Sequence, residues 1–116
     1  MNLMPALASK DLGALLELDA EGMVHYSRLR RNKELFEIEP DAVGHNFFDE
    51  IAGFENVDEF RRRFRYFVKG SNSIENFNFD FRFEENEVPM RVMLVRVSEN
   101  GYDENTRLII VDIRKI

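Results

Sequence analysis

The sequence predicts an α+β domain: a five-stranded antiparallel sheet with short helices and one longer helix gathered on one face. Three observations carry this reading. In Asn76-Phe77-Asn78-Phe79-Asp80-Phe81-Arg82-Phe83 every second residue is Phe, which lines one face of a strand with rings and the other with polar groups. Just before it, Val57, Phe60, Phe64, Phe67 and Val68 recur at helical spacing and Gly70 supplies a stop. After it come two strand-like apolar runs, 89–97 and 107–113, joined by a polar loop from Ser98 to Thr106.

The remaining elements follow from local chemistry. Residues 14–18 are short and apolar, Asp19-Ala20-Glu21-Gly22 is a turn signal, and Met23 to Tyr26 reads as the returning strand of a β-hairpin. From Ser27 to about Phe36 the composition is helical, with Ser27 as N-cap and Leu29, Leu35 and Phe36 as apolar positions. Glu39-Pro40 ends that segment, because proline disfavours a helical residue before it. Asn46 to Ile51 reads as one short helical turn or two. Asn56 followed by Glu59 has capping-box spacing for the long helix. Its Arg61, Arg62, Arg63, Arg65 and Lys69 then project away from the apolar stripe, and Glu84 to Glu87 is a polar turn between strands.

Composition bounds the function. A chain of 116 residues holds one core, read here as a domain over 13–116 with residues 1–12 as an N-terminal segment or cap. Apolar and charged fractions of 44% and 33% are those of a soluble globular protein. A net charge of −6 argues against general attraction to nucleic acid or anionic membrane. No apolar run is long enough to span a bilayer, the start lacks the pattern of a signal peptide, and the expected location is the cytoplasm. The absence of cysteine excludes disulfides, thiolate nucleophiles and covalent thiol attachment. His25 and His45, the only histidines, have no accompanying ligand set, so no metal is expected. No phosphate loop or nucleophile motif is present, and a non-catalytic protein is expected.

The segments G-H-N-F-F-D-E-I-A at 44–52, D-E-F-R-R-R-F at 58–64 and F-N-F-D-F at 77–81, with the hairpin L-E-L-D-A-E-G-M-V-H-Y, resemble the photoactive yellow protein branch of the PAS family. The resemblance runs from about Leu12 to Ile116. It implies a small sensory domain of the PAS-like fold. It also marks departures. The family's chromophore is a 4-hydroxycinnamoyl group on a cysteine that falls here on Phe54. The tyrosine that bonds the chromophore phenolate is matched by Tyr26, and its glutamic acid partner falls on Arg30. The resemblance therefore implies a colourless protein that is not a photoreceptor and carries no cofactor.

Two surfaces are candidate sites. The aromatic ladder either fills the core, with Phe54 occupying the space of the chromophore, or lines a residual pocket for a small aromatic or organic acid. In the second case Tyr26 and Arg30 are its polar contacts and Phe54, Phe79, Phe81 and Met93 its lining. The last two strands are apolar on both faces, so the side away from the helices needs cover from residues 1–12 or a second chain. Met93, Val95, Ile109, Val111 and Ile113 are the residues expected on that dimer or partner face. The function expected is bacterial signalling through protein–protein association, as a homodimer or with a signalling partner. The alternatives are a small-molecule sensor and a ligand-free adaptor.

Overall fold

The structure, a computed structural model, describes residues 12–31, 34–37, 42–84, 86–97 and 108–116, and only the backbone of 12, 28–31 and 34–37. The expected cap 1–12 (apart from the backbone of Leu12), the break at Glu39-Pro40 and the Ser98–Thr106 loop lie outside it. The strands are β1 (Leu12–Asp19), β2 (Val24–Arg31), β3 (Glu34–Glu37), β4 (Ile74–Phe83), β5 (Asn86–Arg96) and β6 (Leu108–Lys115). They form one antiparallel sheet in the order β3-β2-β1-β6-β5-β4. Phe47–Ile51 makes a single wide turn of π type, and Val57–Lys69 is the helix α1.

The α+β layout is as expected, with one correction. Residues 27–31 and 34–36 are not helical: Ser27 continues β2, pairing with Leu16, and Leu35 and Phe36 lie in a short sixth strand paired with Arg30 and Leu29. Helix propensity is a weak prior. The continuous ladder from Tyr26↔Glu17 to Arg31↔Leu12 overrides it by pairing backbone groups along the whole of β1. The β1–β2 turn is built as its sequence suggests. The Asp19 carboxylate accepts from the N–H groups of Glu21 and Met23, both at 3.0 Å. Gly22 sits at φ +94°, where a Cβ would meet the Phe48 ring at 2.6 Å, so only glycine serves.

The register sorts the sheet into two faces. Ala14, Leu16 and Leu18 align with Ile113, Val111 and Ile109, and these with Val92 and Leu94; all are buried on the side covered by α1 and the 47–51 turn. The Phe ladder of β4 faces the same way, with Phe79, Phe81 and Phe83 buried and Phe77 half-buried. Phe60, Phe64 and Phe67 of α1 complete this core. The opposite, outer face carries Leu15, Met93, Val95 and Ile110, each half-buried.

Capping differs from the sequence expectation at Asn56. Its side chain makes no cap bond to α1. Instead Nδ2 donates to the Asp80 carbonyl at 2.8 Å and Oδ1 accepts from the Arg82 N–H at 3.0 Å, copying the backbone of a paired strand along the edge of β4. The far end of α1 is closed by Arg96, whose guanidinium donates to the carbonyls of Phe67 (2.6 Å), Gly70 (3.1 Å) and Val68 (3.4 Å). These carbonyls stand at the helix C-terminus, where the helix dipole favours a positive charge.

The reciprocal cap belongs to the short turn. Asn46 Oδ1 accepts from the N–H groups of Phe48 and Asp49, and the Glu50 carboxylate reaches back to the Asn46 N–H at 2.8 Å. That bond, followed by the one from His45, holds the Glu50 carboxyl below its ordinary pKa. A carboxyl depressed by folding adds stability above its unfolded pKa and loses it as pH falls through the folded value. Urea midpoints measured across the acid range should therefore place Glu50→Gln below the wild type at neutral pH and bring the two together on acidification. A gap that stays constant with pH would refute this role.

Candidate functional site

The region around Phe54 is assembled from three elements. The chain turns away from the 47–51 segment at Ala52 and presents Phe54 to the sheet just before α1 begins. The ring is 3% exposed. It stands edge-on to Phe81, with centroids 4.8 Å apart and planes at 90°, and lies 5.9 Å from Phe60, 6.4 Å from Phe47 and 6.5 Å from Phe79. Phe60 in turn meets Phe79 at 5.2 Å and Phe81 at 5.5 Å. These are the tilted and edge-to-face contacts that aromatic quadrupoles favour. Phe54 is thus an integral part of a packed aromatic cluster.

The sequence-expected pocket set is divided by the sheet. Phe54, Phe79 and Phe81 are brought together on the inner face. Tyr26 pairs with Glu17, and Met93 with Asp112, which puts both in outer-face rows. Arg30 occupies the ladder position opposite Gly13 and Leu35, and its side chain is not described. The missed inner-face residue is Ser27. It is 3% exposed beside Leu16, and its Oγ has no hydrogen-bond partner among the described residues. A helix N-cap assignment hid it, since strand parity there is visible only once the β1 register is known.

The expected partner face is likewise split. Met93 and Val95 lie on the outer face, whereas Ile109, Val111 and Ile113 are 1%, 0% and 0% exposed within the core. The register pairs Val95 with Ile110 and Met93 with Asp112, so the even-numbered residues of β6 accompany the odd-numbered ones of β5. A shallow depression of about 220 Å³ opens on this face between Asn76, Arg91, Met93, Asp112 and Arg114. Within it Asp112, 4% exposed, is held by Arg114 at 2.9–3.1 Å, and this carboxylate raises the Arg114 pKa.

The titratable groups elsewhere form surface pairs. His25 lies 3.3 Å from Asp19 and His45 lies 3.2 Å from Glu50. Arg61 pairs with Asp49 and sits over the Phe48 ring. Among the described residues no three His, Asp or Glu side chains come together as metal ligands, and no helix is long and apolar enough to cross a membrane.

The overall fold is similar to that of solved structures. One is the photoactive yellow protein domain from the sensor histidine kinase Ppr of Rhodospirillum centenum, at 24% identity and a TM-score of 0.57, covering 90% of this chain and 92% of that one. Another is the PAS domain of BvgS from Bordetella pertussis, at 12% identity and a TM-score of 0.60, covering 97% of this chain and 82% of that one. The chain has the PAS fold. No protein-family model matches it, and neither does any curated protein. The chain contains no cysteine, so it offers no thiol for a thioester-linked chromophore.

If Phe54 is a structural member of the cluster, Phe54→Ala should cost about 3–5 kcal/mol in urea unfolding. It should leave a dry cavity between Phe47, Phe60, Phe79 and Phe81 that takes a small apolar guest. Benzene should then raise the melting temperature of the variant and leave that of the wild type unchanged; equal responses would refute the packing assignment.

Proposed function

We propose that this chain is a non-catalytic PAS signalling module, not a photoreceptor, that works by protein–protein association through the outer face of its sheet. The observation that carries the reading is the unequal treatment of the two faces. The inner face is filled by interlocked phenylalanines, Phe54 included, while the outer face keeps Leu15, Met93, Val95 and Ile110 half-buried on three neighbouring strands, set around the Asp112–Arg114 pair. An apolar sheet face of this kind gains most by pairing with a similar face. The occupant proposed is a second copy of the chain. Ile109, Val111 and Ile113 contribute only by supporting the sheet from behind.

Light scattering on the purified protein should give the mass of two chains. Val95→Glu with Ile110→Glu, a cross-strand pair on that face, should give the mass of one chain with the circular dichroism unchanged. A wild type that stays monomeric at high concentration would overturn the association model. A second reading, a sensor for a small aromatic acid, is favoured by the buried Ser27 hydroxyl, which finds no hydrogen-bond partner among the described residues and which a ligand could satisfy. Thermal shifts with hydroxycinnamates separate the two readings. Stabilisation that disappears in Ser27→Ala would select the sensor, and no response would leave association as the function.

A further inference from the structure

The edge of β4 is half closed. In the antiparallel ladder the even-numbered residues of β4 direct their backbone groups away from β5. At the C-terminal half these groups are taken: the Arg82 carbonyl accepts from the Glu55 N–H at 2.8 Å, and Asn56 binds the Asp80 carbonyl and the Arg82 N–H. At the N-terminal half, among the described residues, the outward backbone groups of Asn76 and Asn78 have no hydrogen-bond partner, and both residues are exposed. An uncovered edge of this kind is a template for another strand.

The surface beside the open half is cationic in a chain whose net charge is −6. A depression of about 320 Å³ runs between Arg62, Arg63 and Tyr66 of α1 and Glu75 of β4. Tyr66 is 81% exposed. The Arg63 guanidinium lies 4.0 Å from the centroid of the Phe77 ring, which fixes its plane at the strand edge. The ion-pair partner it has among the described residues, Glu75, is at 4.0 Å, too long for a hydrogen bond, so the Arg63 donors remain available. Arg62 is exposed and makes no ion pair among the described residues.

The geometry points to strand addition: the edge from Ile74 to Asn78 takes an extended acidic peptide segment of a partner protein. The peptide backbone pairs with Asn76 and Asn78, and its carboxylates on the helix side meet Arg62 and Arg63. Main-chain bonds supply the affinity and the arginines select the sequence. A second copy of this chain fits the edge poorly, because antiparallel pairing of two β4 strands would set the two arginine pairs side by side. Nucleic acid fits poorly too, since it would leave the strand's N–H and C=O groups unpaired. The edge adjoins the outer face at Asn76, which pairs with Met93, but strand addition uses backbone groups of β4 and arginines on the helix side, so either assignment can fail alone.

The test is fluorescence anisotropy of the full chain with a labelled peptide alternating Glu and Val. Saturable binding is expected. Methylating alternate backbone nitrogens of the peptide, which keeps its charge and removes its strand donors, should weaken binding by about tenfold or more. Arg62→Glu with Arg63→Glu should weaken it at least as much, and so should Asn78→Pro, which deletes an outward N–H at an edge position proline tolerates. The proposal is overturned if the methylated peptide binds as well as the parent. It is equally overturned by absence of binding up to about 1 mM, or by an oligothymidylate that binds more tightly than the peptide.

Discussion

Everything in this domain is organised around the contact of Phe60 with the rings of β4. One side chain from α1 meets Phe77, Phe79 and Phe81 at centroid distances of 6.3, 5.2 and 5.5 Å, and also touches Phe47, Phe48 and Phe54. Because β4 alternates strictly, a slip of one residue would turn every ring outward and leave Phe60 against Asn76, Asn78 and Asp80. The cluster thus fixes the register of β4 against β5, the height of α1 over the sheet, and the path of the chain through Phe54. It also explains why a phenylalanine is accommodated at residue 54. Its ring is an edge-to-face partner of Phe81.

The polar groups follow the same geometry. Helix α1 runs with its apolar stripe down, so its arginines emerge along the flanks, and the two flanks are treated differently. On one side Arg61 is consumed by Asp49 and the Phe48 ring. On the other, Arg62 and Arg63 overlook the unsealed part of β4. The asymmetry arises from Asn56. By turning to the strand edge rather than to its own helix, it seals the part of β4 nearest the start of α1 and leaves the rest open.

Strong local patterns were legible in the sequence. The Phe ladder, the α1 stripe with its Gly70 stop, and the hairpin turn at Asp19–Gly22 each need only nearest-neighbour chemistry, and each appears where the spacing puts it. Long-range information was not legible. Ser27 to Arg31 and Glu34 to Phe36 have helix-compatible residues, and only the ladder with β1 makes them strands. Parity failed for the same reason. Val92–Val97 and Leu108–Ile113 are apolar on both faces, so no alternation reveals that Ile109 and Val111 share a face with Val92 and Leu94 rather than with Met93. Tyr26 was separated from Phe54 by a bulge near Glu17 and Leu18, which shifts the phase of β2 and cannot be read from composition. The Asn56 signal was genuine, but its target was an edge 24 residues away along the chain rather than the adjacent helix.

The Arg96 clamp has a mechanical consequence. Its guanidinium is pinned between the Phe67 ring, 4.8 Å away, and three carbonyls at the end of α1, while its own backbone belongs to β5. The neighbouring residue in β5, Val95, faces the opposite side of the sheet. Arg96 therefore fastens the C-terminal end of α1 directly to β5, beside a residue that belongs to the outer face.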